Sequence, residues 1–201
     1  MTPHPGPADL PYLRTHFVPL DDLARAHGRD PAEVRAAIAA GRLPKPPYVL
    51  ADGAELVAPD FFALTEAAGG DELLADWFAD AYAAAAGGHP DADPLSDAWP
   101  DYLTGIYAVC LRSVSPATIV RKTLLVTEVE RLLADAQPDD DGWLHALREA
   151  VDALDALERE FAQVDREIGP VSRDRLVAGP KRDFPQAWAE DAFTAAPSSR
   201  A

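Results

Sequence analysis

The sequence predicts a mainly α fold in which an N-terminal winged-helix-like segment, a helix-turn-helix plus a β-hairpin, packs on a C-terminal helical bundle. Three observations predict it. Two short stretches of helical apolar spacing meet near Gly28, an Asp52-Gly53 pair separates two short runs suited to strands, and from Gly69 onward apolar residues recur at helical intervals between Gly, Pro and Ser breaks. Neither a strand–helix alternation nor a repeat of about 20–50 residues is present, which excludes doubly wound sheets and solenoids.

Taken in order, residues 1–11 hold four prolines and a glycine and are expected to form a disordered leader. Residues 12–66 form the winged-helix-like segment. Its first helix lies within residues 20–28, with Gly28 in the C′ position; the second starts with Asp30 as N-cap, Pro31 at N1 and Glu33 closing a capping box, and stops at Gly41. The hairpin follows over 44–57, with Asp52-Gly53 at its turn. Residues 67–190 form the helical domain. One helix runs through Leu74, Phe78 and Tyr82 to Gly87-Gly88, and an acidic loop covers 89–98. The apolar stripe of Tyr102, Leu103, Ile106, Val109 and Cys110 predicts one central buried helix from Trp99 to Arg112. Ser115-Pro116 opens the next helix, and Trp143 to Phe161 forms the last long one. Residues 191–201 are expected to be a disordered tail.

With 201 residues, 48% hydrophobic and 26% charged, the chain has enough apolar material for one good core, and its composition is far from that of disorder. No apolar run is long enough to span a membrane and the first residues lack a signal-peptide pattern, so a cytoplasmic protein is expected. The net charge of −16 argues against tight nucleic-acid binding, which needs Lys and Arg to neutralise phosphates. A single cysteine, Cys110, excludes an intrachain disulfide and multi-cysteine metal sites. The five histidines show no ligand spacing, so no metal is expected. A phosphate-binding glycine loop and a Gly-x-Ser-x-Gly elbow are both missing, which disfavours nucleotide use and serine hydrolysis.

Several residues carry two readings. Arg121-Lys122 sits near the start of an apolar helix, where a cation opposes the helix dipole, so it either pairs with acids of the 89–101 loop or captures a substrate anion. Arg112, at the edge of the buried stripe, carries the same pair of readings. Arg175 belongs to the one basic concentration, 172–182, which is either a capped helix docked on the acidic body or an anion-binding rim. Glu55, in the returning hairpin strand, is either a solvated wing carboxylate or, if set against aromatic rings, a general acid or base. Cys110 reads as a small apolar packing residue.

The segment ending in Gly41-Arg42-Leu43-Pro44 resembles the DNA-binding fold of MerR- and excisionase-type proteins. Its second helix, however, offers one Arg among alanines, too little for base readout. A repurposed scaffold is the alternative. More widely, Tyr12-Leu13-Arg14, Pro47-Tyr48-Val49-Leu50, Tyr107-Ala108-Val109-Cys110-Leu111-Arg112, Ile119-Val120-Arg121-Lys122 and Ser172-Arg173-Asp174-Arg175-Leu176 resemble, in their order and spacing, an actinobacterial family of natural-product biosynthesis proteins with a domain of unknown function. A looser resemblance links such proteins to Pictet–Spengler cyclases of indole-alkaloid pathways. A homodimer is expected alongside the fold, apart from the resemblance. That resemblance implies an enzyme with no cofactor and no metal, joining a tryptophan-like aromatic amine to an aldehyde. It also implies a pocket lined by Tyr48, Trp99, Tyr102 and Tyr107, anion anchors at Arg112, Arg121, Lys122 and Arg175, and Glu55 or Asp101 as the general base. The rival expectations are a DNA-binding regulator and a noncatalytic small-molecule-binding protein.

Overall fold

A computed structural model describes residues 5–89 and 91–189. It is mainly helical with one small sheet. The N-terminal part runs α1 (Leu10–His16), β1 (Val18–Pro19), α2 (Leu20–Ala26), α3 (Pro31–Ala39), β2 (Tyr48–Val49) and β3 (Glu55–Val57). The strands pair antiparallel in the order β1-β3-β2, with Val18 opposite Val57 and Tyr48 opposite Leu56. Gly53, at φ +86°, supplies the left-handed turn that the Asp-Gly pair predicts. Asp30 caps α3 as expected, but its carboxylate accepts from the Ala32 amide at 2.9 Å, and Glu33 does not complete a capping box.

Helices make up the rest: α4 (Ala63–Ala68), α5 (Leu74–Ala86), α6 (Leu95–Thr104), α7 (Ile106–Cys110), α8 (Pro116–Ala134), α9 (Asp141–Leu157) and α10 (Gln163–Ile168). A π-helical turn (Asp174–Ala178), α11 (Gly179–Asp183) and a 3₁₀ turn (Pro185–Trp188) close the described chain. The start of α8 is fixed by a reciprocal cap: Ser115 Oγ accepts from the Thr118 amide, while Thr118 Oγ1 accepts from the Ser115 amide.

Three sequence expectations change. The buried helix expected from Trp99 to Arg112 is two helices, α6 and α7, broken at Gly105 (φ +82°). The cause is tertiary. A Cβ on Gly105 would lie 2.3 Å from the Lys45 carbonyl oxygen, and the Lys45 amide donates to the Leu103 carbonyl at 2.9 Å, so the loop before β2 is pressed onto the break. Second, α9 ends at Leu157 instead of Phe161, because Glu158 leaves the helix to form a β-bridge with Leu111. Third, where a leader was expected through residue 11, α1 already begins at Leu10, and Asp9 is buried with its carboxylate accepting from the amides of Val164 and Gly6. Residues 1–4 and the expected tail 191–201 lie outside the described residues.

The two parts share one interior. Leu20, Val34 and Leu43 from the N-terminal part pack in the same cluster as Phe78, Tyr102 and Ile119. A second cluster joins Val129, Trp143, Leu147 and Leu154 to Leu176 near the end of the chain, and a third joins Leu13, Phe17, Tyr48 and Leu56 to Ala162 and Val164. The boundary expected at residue 66 is therefore no gap in packing. Among the described residues no helix is long and apolar enough to cross a membrane.

Candidate functional site

A cleft of about 840 Å³ opens between the loop before β2, helices α7 and α8, and the stretch around α10. Its walls are largely apolar: Pro46 and Pro47 on one side, Ile106, Tyr107 and Val109 beside them, Ile119 and Val126 from α8, and Phe161 and Pro170 opposite. Gly105, at the break between α6 and α7, lines the cleft, and Phe161, beyond the end of α9, lines it opposite.

Polar groups meet at the Cys110 end of the cleft. Lys122, on α8, has a side chain only 16% exposed, and its Nζ lies 3.1 Å from Oε1 of Glu158, which is fully buried. Ser172 Oγ donates to the same Oε1 at 2.5 Å, while Oε2 has no partner among the described residues. Cys110 lines the cleft beside Lys122, its Sγ donating to the Tyr107 carbonyl oxygen. Burial pushes the Cys110 thiol up, and the neighbouring ammonium only partly opposes this. Burial pulls Lys122 down, but Cys110 and Glu158 together hold it above its ordinary value, so it stays an ammonium.

The second polar feature is Asp165, on α10. Its Oδ2 accepts from the Tyr48 hydroxyl at 2.7 Å and from the Ala162 amide at 2.9 Å. Among the described residues no group bonds Oδ1, and Asp165 lines the cleft. Burial raises the carboxyl above the ordinary aspartate range, against the Tyr48 and Ala162 hydrogen bonds, and nearby Asp9 adds to the rise. Asp93 and Asp101 stand at the other border of the cleft, Asp93 accepting from Thr123 Oγ1 at 2.8 Å.

The residues expected to act together are mostly scattered. Lys122, Tyr107 and Asp101 do line the cleft, Asp101 as an exposed rim residue. Tyr48 is fully buried and supports Asp165 from behind. Tyr102 is core, stacked with Trp99, and both pack on Phe78; Tyr102 meets Tyr107 only at a small cavity beside Lys45 and Pro47, next to the cleft. Glu55 is not set against aromatic rings: its carboxylate takes Arg35 Nε at 2.7 Å on the surface, and Arg35 also reaches Asp21. Arg112 is exposed outside the cleft, Arg121 borders a separate groove with His89 and Asp91, and Arg175 pairs with Glu130 at 2.6 Å. Lys122 does find an acid, but at Glu158 instead of in the 89–101 loop. No shared anion site forms from these four cations.

Sequence reasoning missed Glu158, Asp165 and Ser172. Glu158 and Asp165 sit in polar stretches, and the one available signal was that Glu158-Arg159-Glu160 interrupts two apolar runs directly after a strongly amphipathic helix. Among the described residues no group of His, Cys, Asp and Glu is gathered to hold a metal ion.

Residues 74–184, which carry α5 through α11 and most of the cleft, match the model of a family of unknown function, DUF6058. The matched span exceeds half the chain. The chain belongs to the DUF6058 family. No curated protein and no solved structure matches it. Lys122, Glu158, Asp165 and Ser172 all fall inside the DUF6058 span, whereas Lys45, Pro47 and Tyr48, which complete the cleft or brace it, lie before it.

Proposed function

We propose that this DUF6058 protein is a cofactor-free enzyme of small-molecule metabolism, and that its substrate is an amine carrying an aromatic or similarly apolar body. The observation that carries the reading is the charge of the cleft. Asp93 and Asp101 line it against Lys45 and Lys122, and Lys122 is already neutralised by Glu158, so the unspent charge is negative and beside apolar walls. An ammonium group gains from such a surface and a carboxylate does not. Amine recognition replaces the anion capture expected from the sequence.

The reaction we assign is of the Pictet–Spengler type, with an aldehyde as second substrate. Support for this step comes from the sequence resemblance, and from a cleft large enough for two reactants. Such chemistry needs both held together and protons moved between them. Secondary-metabolite (indole-alkaloid) biosynthesis in the cytoplasm, with a homodimer as its assembly, is part of the same reading.

In this reading residues 12–66 are a winged helix used as a scaffold. The order α1-β1-α2-α3-β2-β3 with β3 between β1 and β2 supports that assignment. Its α3 presents Arg35 already bound by Glu55 and Asp21 among alanines, which leaves little for a DNA base. The module instead contributes the Lys45–Pro47 wall.

The test is incubation of the purified chain with tryptamine or tryptophan and a panel of aldehydes and 2-oxo acids, read by liquid chromatography with mass detection. A protein-dependent product at the summed mass less one water, as one stereoisomer, is expected. Absence of any such product across the panel overturns the cyclase assignment. Calorimetric titration with tryptamine then separates a binding protein from one with no affinity for amines.

A further inference from the structure

We propose that Asp165 is the catalytic acid and base of the cleft, a single carboxyl that gives a proton in one step and recovers it in a later one. The proposal rests on the amine reading above and adds the residue that performs the chemistry. Its foundation is the way Asp165 is held. Both of its hydrogen bonds among the described residues converge on Oδ2, which fixes the plane of the carboxyl, and Oδ1 is left without a partner on a residue that lines the cleft. A purely structural latch between β2 and α10 needs no charge. An amide oxygen accepts from the Tyr48 hydroxyl and the Ala162 amide just as well, so the carboxyl is more than the latch requires. The other carboxylates lining the cleft, Asp93 and Asp101, are exposed.

The bound ammonium first gives one proton to solvent, and from the free amine onward the proton balance closes on this one group. Attack of the free amine on the aldehyde, with a proton passing from nitrogen to oxygen, gives a neutral carbinolamine; the Asp165 carboxylic acid protonates its hydroxyl, which leaves as water, giving an iminium ion and the Asp165 carboxylate. The aromatic ring attacks the iminium carbon, forming the new carbon–carbon bond and a cationic ring. The Asp165 carboxylate then removes the proton from the attacked ring carbon, which restores aromaticity and regenerates the acid. Amine plus aldehyde become product plus water, with nothing oxidised or reduced. A carboxyl raised above the ordinary range by burial is suited to holding the proton in the first step and taking it in the last. The charged and titratable groups around it are Asp9 before α1, Tyr12 on α1, Tyr48 on β2, Arg159 after α9, and Arg166 on α10.

Two variants and two measurements test the assignment. Asp165→Asn retains the acceptor for Tyr48 and should fold with a near-native melting temperature, while kcat on tryptamine and a productive aldehyde falls about 100- to 10,000-fold with KM little changed. Tyr48→Phe removes a donor that favours the carboxylate, so the alkaline limb of the pH–rate profile, where the acid form of Asp165 is lost, should move to higher pH, which a merely structural contact would not cause. Independently of turnover, the Asp165 carboxyl carbon, followed by nuclear magnetic resonance, should titrate above about 3.9, the ordinary aspartate value, and higher still in Tyr48→Phe. Full turnover in Asp165→Asn, or a carboxyl that titrates at or below the ordinary value, overturns the proposal. If the wild-type chain makes no product, the cyclase reading fails, and Asp165 is decided by the titration alone.

Discussion

Lys122 and Glu158 meet at 3.1 Å where the carboxylate is fully buried and the ammonium nearly so. Neither charge could be left alone there, since an unpaired buried ion costs several kcal/mol. Replacing either partner by an apolar residue, as in Lys122→Met, is expected to destabilise the fold by about 3–5 kcal/mol, whereas replacing both should cost less than the sum. Urea unfolding of the two single variants and the double variant measures this. Additive losses would mean that the two groups do not depend on each other.

The approach of Lys45 to Gly105 makes a second prediction. Gly105→Ala forces a left-handed residue to carry a Cβ that lands on the Lys45 carbonyl oxygen. Conformational strain alone is about 1–3 kcal/mol, and the collision adds to it. The Lys45–Pro47 wall should move as well, so amine affinity in calorimetry should fall together with the melting temperature. Gly53→Ala, whose added Cβ meets nothing within 4 Å, should cost stability without touching affinity.

Glu55 should be dispensable. Its pairing with Arg35 is exposed enough that Glu55→Gln is expected to change stability by less than about 1 kcal/mol and leave turnover unchanged. A loss of turnover beyond tenfold, with the fold intact, would return Glu55 to the catalytic candidates.

Asp155 anchors the end of the chain. Burial would raise its carboxyl, but hydrogen bonds from Lys181 and Arg173 outweigh that and hold it below the ordinary range, with Arg173 at 2.5 Å and Lys181 at 2.6 Å. Because the folded value is the lower one, its contribution is complete above the ordinary aspartate range and disappears as pH falls through the folded value. Asp155→Asn should therefore lose about 1.5–3 kcal/mol at neutral pH and nothing in strong acid, where the wild-type carboxyl is also neutral. Denaturant melts of both proteins across pH give the comparison. A gap that persists below the folded value would show that charge is not its source.

Much of the scaffold is legible from local chemistry. Asp30 as a cap, Gly53 in a turn, Ser115 opening α8 and the amphipathic stripe of α9 all act within a few residues of themselves. The cleft is not local. Gly105 breaks a stripe whose apolar periodicity is unbroken, because the loop that presses on it comes from some sixty positions earlier. Glu158 and Asp165 carry no local sign of their roles, because their burial is decided by Lys122, Leu111 and Tyr48. Lys122 was readable as a cation needing an acid, but which acid was not. The aromatic candidates were judged by type, and Trp99 and Tyr102 turned out to serve the interior.

The ties between the α1 region and the stretch after α9 also make two distant parts of the sequence depend on each other. Arg159, buried, donates to the carbonyls of Leu111, Arg112 and His16 and lies over the Phe17 ring; the Asp9 carboxylate holds the Val164 amide; the Tyr12 hydroxyl reaches the Glu160 carbonyl. Such contacts span most of the sequence, and closing loops of that size is slow. Without residues 158–165 the Tyr48 side of the small sheet has no cover, so α1 and the sheet complete their core only when that later stretch packs against them.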